Sequence, residues 1–140
     1  MTAAVRRYVA AVDRHDGRAV CAALVPGALQ ALRFPVRPVA CGRALSTAIG
    51  HATRGGPAWK RTRIARINRV EVDPERPGEG RVEATVVHTF RGRRQPSVED
   101  DLVYLTRTGG RWLLVQPSAT LYRAIGYRTP PLSSLSPPPP

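Results

Sequence analysis

The chain has 140 residues, which allows one domain, and 42% of them are hydrophobic, which excludes wholesale disorder. No apolar run approaches the roughly 18 residues that a membrane span needs, so a membrane protein is not expected. The formal net charge is +12, and Lys60 is the single lysine among many arginines. No signal peptide is expected, because Arg6 and Arg7 are not followed by the apolar region that an export signal needs.

The positive charge alone does not indicate a nucleic-acid partner. Arginine, alanine, glycine and proline all have GC-rich codons, so biased base composition is one explanation of their abundance here. A nucleic-acid platform interleaves basic residues with exposed aromatic rings. This chain has only 2 Phe, 2 Trp and 4 Tyr, most of them within apolar patterns. Nucleic acid is therefore not expected as a partner, although an arginine-rich surface for anionic polymers stays open as a third hypothesis.

Three helices are predicted before residue 54. Residues 3–14 show helical spacing of apolar side chains on one face. These are Val5, Tyr8, Val9 and Val12. Asp16 is a suitable cap for a second helix over 17–25, and a third helix is predicted over 42–53 after a Pro-rich connection. Asp13 and His15, at the end of the first helix, are expected to be solvated.

The rest of the folded region is predicted to form four strands. The first covers 60–73, and its imperfect alternation predicts a β-bulge. The second, 81–91, alternates well and places His88 on its apolar face. The third and fourth are predicted over 97–107 and 111–124, joined by a tight turn.

Helices followed by an antiparallel meander predict an α+β fold, with three N-terminal helices packed on a curved four-stranded antiparallel sheet. The folded domain is expected to span residues 1–126. Residues 127–140 are rich in Pro and Ser and are expected to form a disordered or polyproline-like tail. Long strands that curl around the helices would leave a conical cavity.

Three segments carry a family resemblance: RRYVAAVDRHDGRAVCAAL, CGRALSTAI, and the strands ending in LVYLTRTGGRWLLVQ. Over residues 3–124 the chain resembles the nuclear transport factor two-like superfamily, whose cystatin-like, cone-shaped fold includes ketosteroid isomerase and polyketide cyclases. The resemblance implies a ligand cavity inside the cone and a homodimer formed through the sheet.

The positions of Cys21 and Cys41 resemble a cysteine pair in small secreted or membrane-anchored actinobacterial members of this fold. That resemblance implies a disulfide, and the alternative is two buried free thiols. A metal site would need more ligands than two distant cysteines supply. A disulfide favours an extracytoplasmic location, whereas free thiols favour the cytoplasm.

The resemblance to ketosteroid isomerase places Tyr8 where that enzyme has a tyrosine that stabilises an oxyanion. The place of the catalytic base falls near Arg33, which has no carboxylate, and this departure counts against steroid isomerase chemistry. Asp101 falls near a third catalytic position. His88 is the best candidate for an inward imidazole. For each candidate the alternative is a structural role in the core or at the surface.

Two hypotheses of function follow. The first is a non-catalytic domain that binds a small apolar ligand or a protein partner. Its cavity would draw on Tyr8, Val12, Trp59, His88, Tyr104 and Trp112. The second is a small isomerase, cyclase or dehydratase that uses Tyr8 and His88 for proton transfer. Neither hypothesis calls for a metal or another cofactor.

Overall fold

The computed structural model describes residues 1–52 and 54–138. Its elements are α1 (Thr2–Asp13), α2 (Gly17–Ala22), α3 (Pro38–Ala48), β1 (Trp59–Val72), β2 (Glu79–Phe90), β3 (Ser97–Thr108), β4 (Arg111–Leu114) and α4 (Ala119–Ala124). Short 3-10 helices lie at Gln30–Leu32 and Leu132–Leu135. The strands form one antiparallel sheet in the order β1-β2-β3-β4, so the predicted α+β class and four-stranded antiparallel sheet are confirmed. Within the described ranges, none of the helices has the length and apolar character needed to cross a membrane.

Helix α1 packs against β1 through its apolar face. All four side chains predicted for that face are buried: Val5, Tyr8, Val9 and Val12. The expectation that Asp13 is solvated is wrong. Its carboxylate accepts hydrogen bonds from the side chain of Arg61 and from the backbone N–H of Thr62. The hydrogen bonds from Arg61 hold the pKa of Asp13 below its ordinary range. The end of α1 is thereby fastened to the start of β1.

Helices α2 and α3 lie in close contact. The predicted cap of α2 is confirmed, because Asp16 accepts a hydrogen bond from the N–H of Ala19. A Cβ atom on Gly17 would lie 2.2 Å from the carbonyl oxygen of Gly42, so only glycine permits this approach. Helix α3 begins at Pro38 rather than at residue 42, because proline needs no amide partner at the first helical position.

Strand β1 contains three register shifts against β2, which confirms the predicted bulging. The buried residues of β1 and β2 lie on the side of the sheet that faces the helices. We call this side the helix-side face. On β2 it carries Val82, Ala84, Val86, His88 and Phe90, all buried as the alternation predicted. The opposite face is called the outer face.

The predicted fourth strand over 111–124 is wrong in its second half. Strand β4 ends at Leu114, and α4 follows it on the helix-side face. Pro117 cannot donate to a strand ladder, which disfavours continuing the strand. On its free side, β4 is flanked by Leu24, which forms an isolated parallel bridge with Leu114.

Candidate functional site

A polar cluster lies where α4 meets the helix-side face of the sheet. Its central member is Asp101 on β3, which is 2% exposed. The Asp101 carboxylate accepts hydrogen bonds from the backbone N–H groups of Ala119, at 3.1 Å, and Thr120, at 3.0 Å. The first turn of a helix leaves such N–H groups without intrahelical partners, and a negative charge there is favourable. Asp101 therefore holds the start of α4 against β3.

Tyr8 joins the cluster from α1. Its ring is fully buried, and its hydroxyl accepts a hydrogen bond from the hydroxyl of Ser118 at 3.3 Å. Ser118 is the residue that precedes the first turn of α4. Burial raises the pKa of Tyr8 well above its ordinary value, and the charge of Asp101 acts in the same direction. The phenol therefore stays protonated at neutral pH.

His88 lies on the same face, two positions from the end of β2. The residue is 1% exposed, and its Nε2 lies 3.8 Å from a carboxylate oxygen of Glu99. Burial lowers the pKa of His88, although the carboxylates of Glu99 and Asp101 oppose that shift. Its Nδ1 has no hydrogen-bond partner among the described protein atoms. A neutral imidazole with one free nitrogen is the form that could accept a proton.

Glu99 and Arg123 form a partly buried ion pair between β3 and α4. The Nε of Arg123 donates to both carboxylate oxygens of Glu99 at 3.0 Å. Burial acts to raise the pKa of Glu99, but the hydrogen bonds from Arg123 and Ser97 outweigh it and leave the pKa below its ordinary value. The sequence does not reveal this pair, because the acidic run at 99–101 resembles a solvated strand start and Arg123 lies within a predicted strand.

The three candidate catalytic residues are thus brought to one region of the helix-side face, but the protein encloses all of them. Asp101 is engaged in holding α4, and Tyr8 is hydrogen-bonded to Ser118. His88 faces Thr62 across the β1–β2 ladder, where the Thr62 hydroxyl also has no partner among the described atoms. Proton transfer to a ligand would require the ligand to come within hydrogen-bond distance of Tyr8 or His88.

The burial of His88 predicts a pH-dependent stability. Unfolding restores its ordinary pKa of 6.5, and in the folded protein the pKa is lower. Between the two values the unfolded chain binds more protons, so the free energy of unfolding rises with pH. The contribution of His88 is fully present above pH 6.5 and is lost as the pH falls towards the folded pKa. The slope should approach about 1.4 kcal/mol per pH unit at most.

Denaturant titrations of the wild type and of His88→Gln between pH 4.5 and 7.5 would measure this effect. The difference between the two proteins should shrink as the pH falls. His51→Gln, at an exposed site near the end of α3, is the matched control. A constant difference between the wild type and His88→Gln across the range would contradict the prediction.

The other predicted ligand-binding residues occupy different surroundings. Val12 and Trp59 are buried in the core, and the Trp59 ring packs against His15 with ring centroids 5.2 Å apart. Trp112 is half-buried against the core near the start of β4. Tyr104 alternates with buried residues on β3 and therefore lies on the outer face, away from His88. These residues do not line one shared cavity.

An open groove lies instead on the outer face, with a volume of about 790 Å³. It runs from the turn between β1 and β2, across β3, to the C-terminal segment. We call it the outer-face groove, and Glu71, Arg76, Arg81, Tyr104, Val115 and Pro138 are among its lining residues. The guanidinium of Arg81 pairs with Glu71, and that of Arg76 pairs with Asp73 and Glu79. The groove therefore combines an aromatic and aliphatic floor with a wall of paired charges.

The cysteine pair is a disulfide. Cys21 on α2 and Cys41 on α3 are bonded, with their Cα atoms 6.3 Å apart. The two cysteines are therefore joined in a disulfide and are not free thiols. The described residues hold no group of three or more His, Cys, Asp or Glu side chains placed to bind a metal ion.

Comparison with known proteins adds no family to these observations. No protein-family model matches the sequence, and no curated protein matches it. Function must therefore be inferred from the fold, the polar cluster and the outer-face groove.

Proposed function

We propose that this protein is a non-catalytic binding domain of the nuclear transport factor two-like class, and that it binds its ligand in the outer-face groove. The class is supported by helices that precede a four-stranded antiparallel meander and by the bulges that bend β1. The disulfide between α2 and α3 agrees with the two-cysteine members of that class. It also supports an oxidising, extracytoplasmic compartment.

The observation that carries the proposal is the contrast between the two faces of the sheet. On the helix-side face, Tyr8 and His88 are 0% and 1% exposed, so a ligand could reach them only if the interior opened. On the outer face, a groove of about 790 Å³ is open and carries Tyr104. Binding sites are concave, largely apolar, and supplied with a few polar groups, which describes the groove.

A small amphipathic probe tests the proposal. We expect 8-anilinonaphthalene-1-sulfonate to shift the amide NMR signals of Tyr104, Thr106 and Val115, but not those around Tyr8 and His88. Tyr104→Ala should weaken its binding about tenfold, the loss expected for one aromatic contact. Val98→Ala is the matched control, because Val98 is exposed on the outer face of the same strand.

The isomerase, cyclase or dehydratase hypothesis makes the opposite prediction for the same titration. Saturable shifts confined to Tyr8, His88 and their neighbours would show that the interior opens to ligands. That outcome would overturn the outer-face proposal and favour the enzyme. Tyr8→Phe and His88→Ala would then be the variants to assay for proton transfer.

A further inference from the structure

Two side chains near the outer-face groove bind the backbone of the C-terminal segment. The Nε2 of Gln116 lies 3.1 Å from the carbonyl oxygen of Ser133 and 2.9 Å from that of Ser136. The hydroxyl of Tyr104 donates to the carbonyl oxygen of Leu135 at 3.4 Å. Both side chains act as donors to backbone carbonyls, so the contacts do not depend on the side chains of the segment.

The bound segment offers backbone carbonyl oxygens that such donors can reach. Residues 131–138 read PLSSLSPP, and proline has no N–H to donate. Ser133 and Leu135 belong to the short 3-10 helix Leu132–Leu135, and the backbone is extended from Ser136. The last carbonyls of a helix have no partner within it, so they are free to accept from a receptor. Grooves lined by aromatic side chains are a usual means of recognising Pro-rich segments. Pro137 and Pro138 lie against the groove itself.

One residue of the segment is an anchor. Ser134 is 2% exposed, whereas Leu132 and Leu135 on either side are 82% and 41% exposed. The hydroxyl of Ser134 donates to the carbonyl of Pro131 at 2.7 Å, which closes the short 3-10 helix. The segment is thus seated by a small polar residue and by its carbonyls, while its large apolar side chains point outwards.

We propose that the outer-face groove is a docking site for a short Ser- and Pro-rich segment of a partner protein, and that the C-terminal segment of this chain competes for the site. This inference rests on the proposed function, because it assigns a ligand class to the same groove. The lining of the groove also includes Glu71 and Arg76, near the turn between β1 and β2, which could contact further residues of a partner segment.

Competition follows from tethering. A segment attached to the domain is present at a high effective concentration, which suppresses the binding of the same sequence supplied separately. A variant that releases the segment should therefore bind a free peptide more tightly than the wild type does. Ser134→Arg is such a variant, because arginine cannot fit the buried position. Ser133→Arg is the matched control, because Ser133 is exposed.

The test uses the full chain and a synthetic peptide with the sequence of residues 131–138. Release of the segment is followed by heteronuclear NOE at Ser133 and Leu135, and peptide binding by amide shifts at Tyr104. We expect at least tenfold tighter binding to Ser134→Arg than to the wild type or Ser133→Arg. Adding Gln116→Glu to Ser134→Arg should cost at least tenfold, since a carboxylate repels the carbonyls that the amide binds.

Three outcomes would overturn the inference. The first is a segment that stays ordered in Ser134→Arg, because the seating described above would then be wrong. The second is equal binding to released and unreleased chains, and the third is binding that Gln116→Glu does not change. If 8-anilinonaphthalene-1-sulfonate still binds the groove in any of these cases, the proposed function stands and only the assignment of a peptide ligand fails. If neither probe nor peptide binds there, both fail.

Discussion

Replacement of Asp101 by alanine should lower the free energy of unfolding by about 3 kcal/mol. The residue is 2% exposed, so solvent does not screen its hydrogen bonds. Its removal leaves the N–H groups of Ala119 and Thr120 buried without acceptors. It also removes the charge that favours the start of α4. Equilibrium denaturation by urea would measure the loss.

Two variants sharpen this experiment. Asp100→Ala alters the neighbouring, exposed carboxylate and should cost less than about 1 kcal/mol, as surface changes usually do. Asp101→Asn keeps one acceptor oxygen, so its loss in the free energy of unfolding should lie between those of Asp100→Ala and Asp101→Ala. If Asp101→Ala were no more destabilising than Asp100→Ala, the conclusion that the Asp101 carboxylate holds the start of α4 would be refuted.

Loss of the disulfide should destabilise the protein by a similar amount. The bridge joins residues separated by 20 positions, and the chain-entropy model gives about 3 kcal/mol for a loop of that length. The double variant Cys21→Ala, Cys41→Ala should show this loss in urea. Each single variant should lose at least as much, because each removes the whole bridge. A loss below about 1 kcal/mol would mean that packing alone holds α2 against α3, without the disulfide.

Treatment of the wild type with a strong reductant is the independent check. The reduced wild type and the double variant should have nearly the same unfolding midpoint. The double variant should not respond to the reductant at all. This comparison separates the bridge itself from the packing lost when the buried Cys41 side chain is shortened.

Local periodicity was sufficient for most of the elements. The spacing of Val5, Tyr8, Val9 and Val12 predicted the buried face of α1, and the alternation around His88 predicted the helix-side face of β2. Both patterns record which side of an element meets the core. The bulging of β1 also followed from its own sequence. These are properties of a segment and its immediate neighbours.

The end of the sheet could not be predicted in the same way. Residues 111–124 have the composition of a strand, and the decisive contact comes from Asp101, 18 positions before Ala119. The same is true of Asp13, whose partner Arg61 lies 48 positions further along the chain. Sequence spacing does not show which distant donor a carboxylate will meet.

The sequence pointed to Tyr8, His88 and Asp101 as candidate residues, but it did not show how completely the protein encloses them. Tyr8, His88 and Asp101 do face the same region, as the hypothesis of an interior site required. Whether an interior space stays open depends on what fills it, and here Tyr8, His88 and Asp101 are almost fully enclosed. The groove on the outer face had no signal in the sequence, because it depends on where the C-terminal segment lies.

The edges of the sheet affect whether copies of this protein can aggregate by strand addition. A long, regular edge strand presents a row of unpaired N–H and C=O groups on which another chain can continue the sheet. Here β1 is 14 residues long, but three register shifts against β2 interrupt its regularity, and arginines recur along it. At the other edge, β4 has only four residues and is flanked by Leu24. Each edge is therefore a poor template for fibril-like growth, so the concentrated protein should resist aggregation through strand addition.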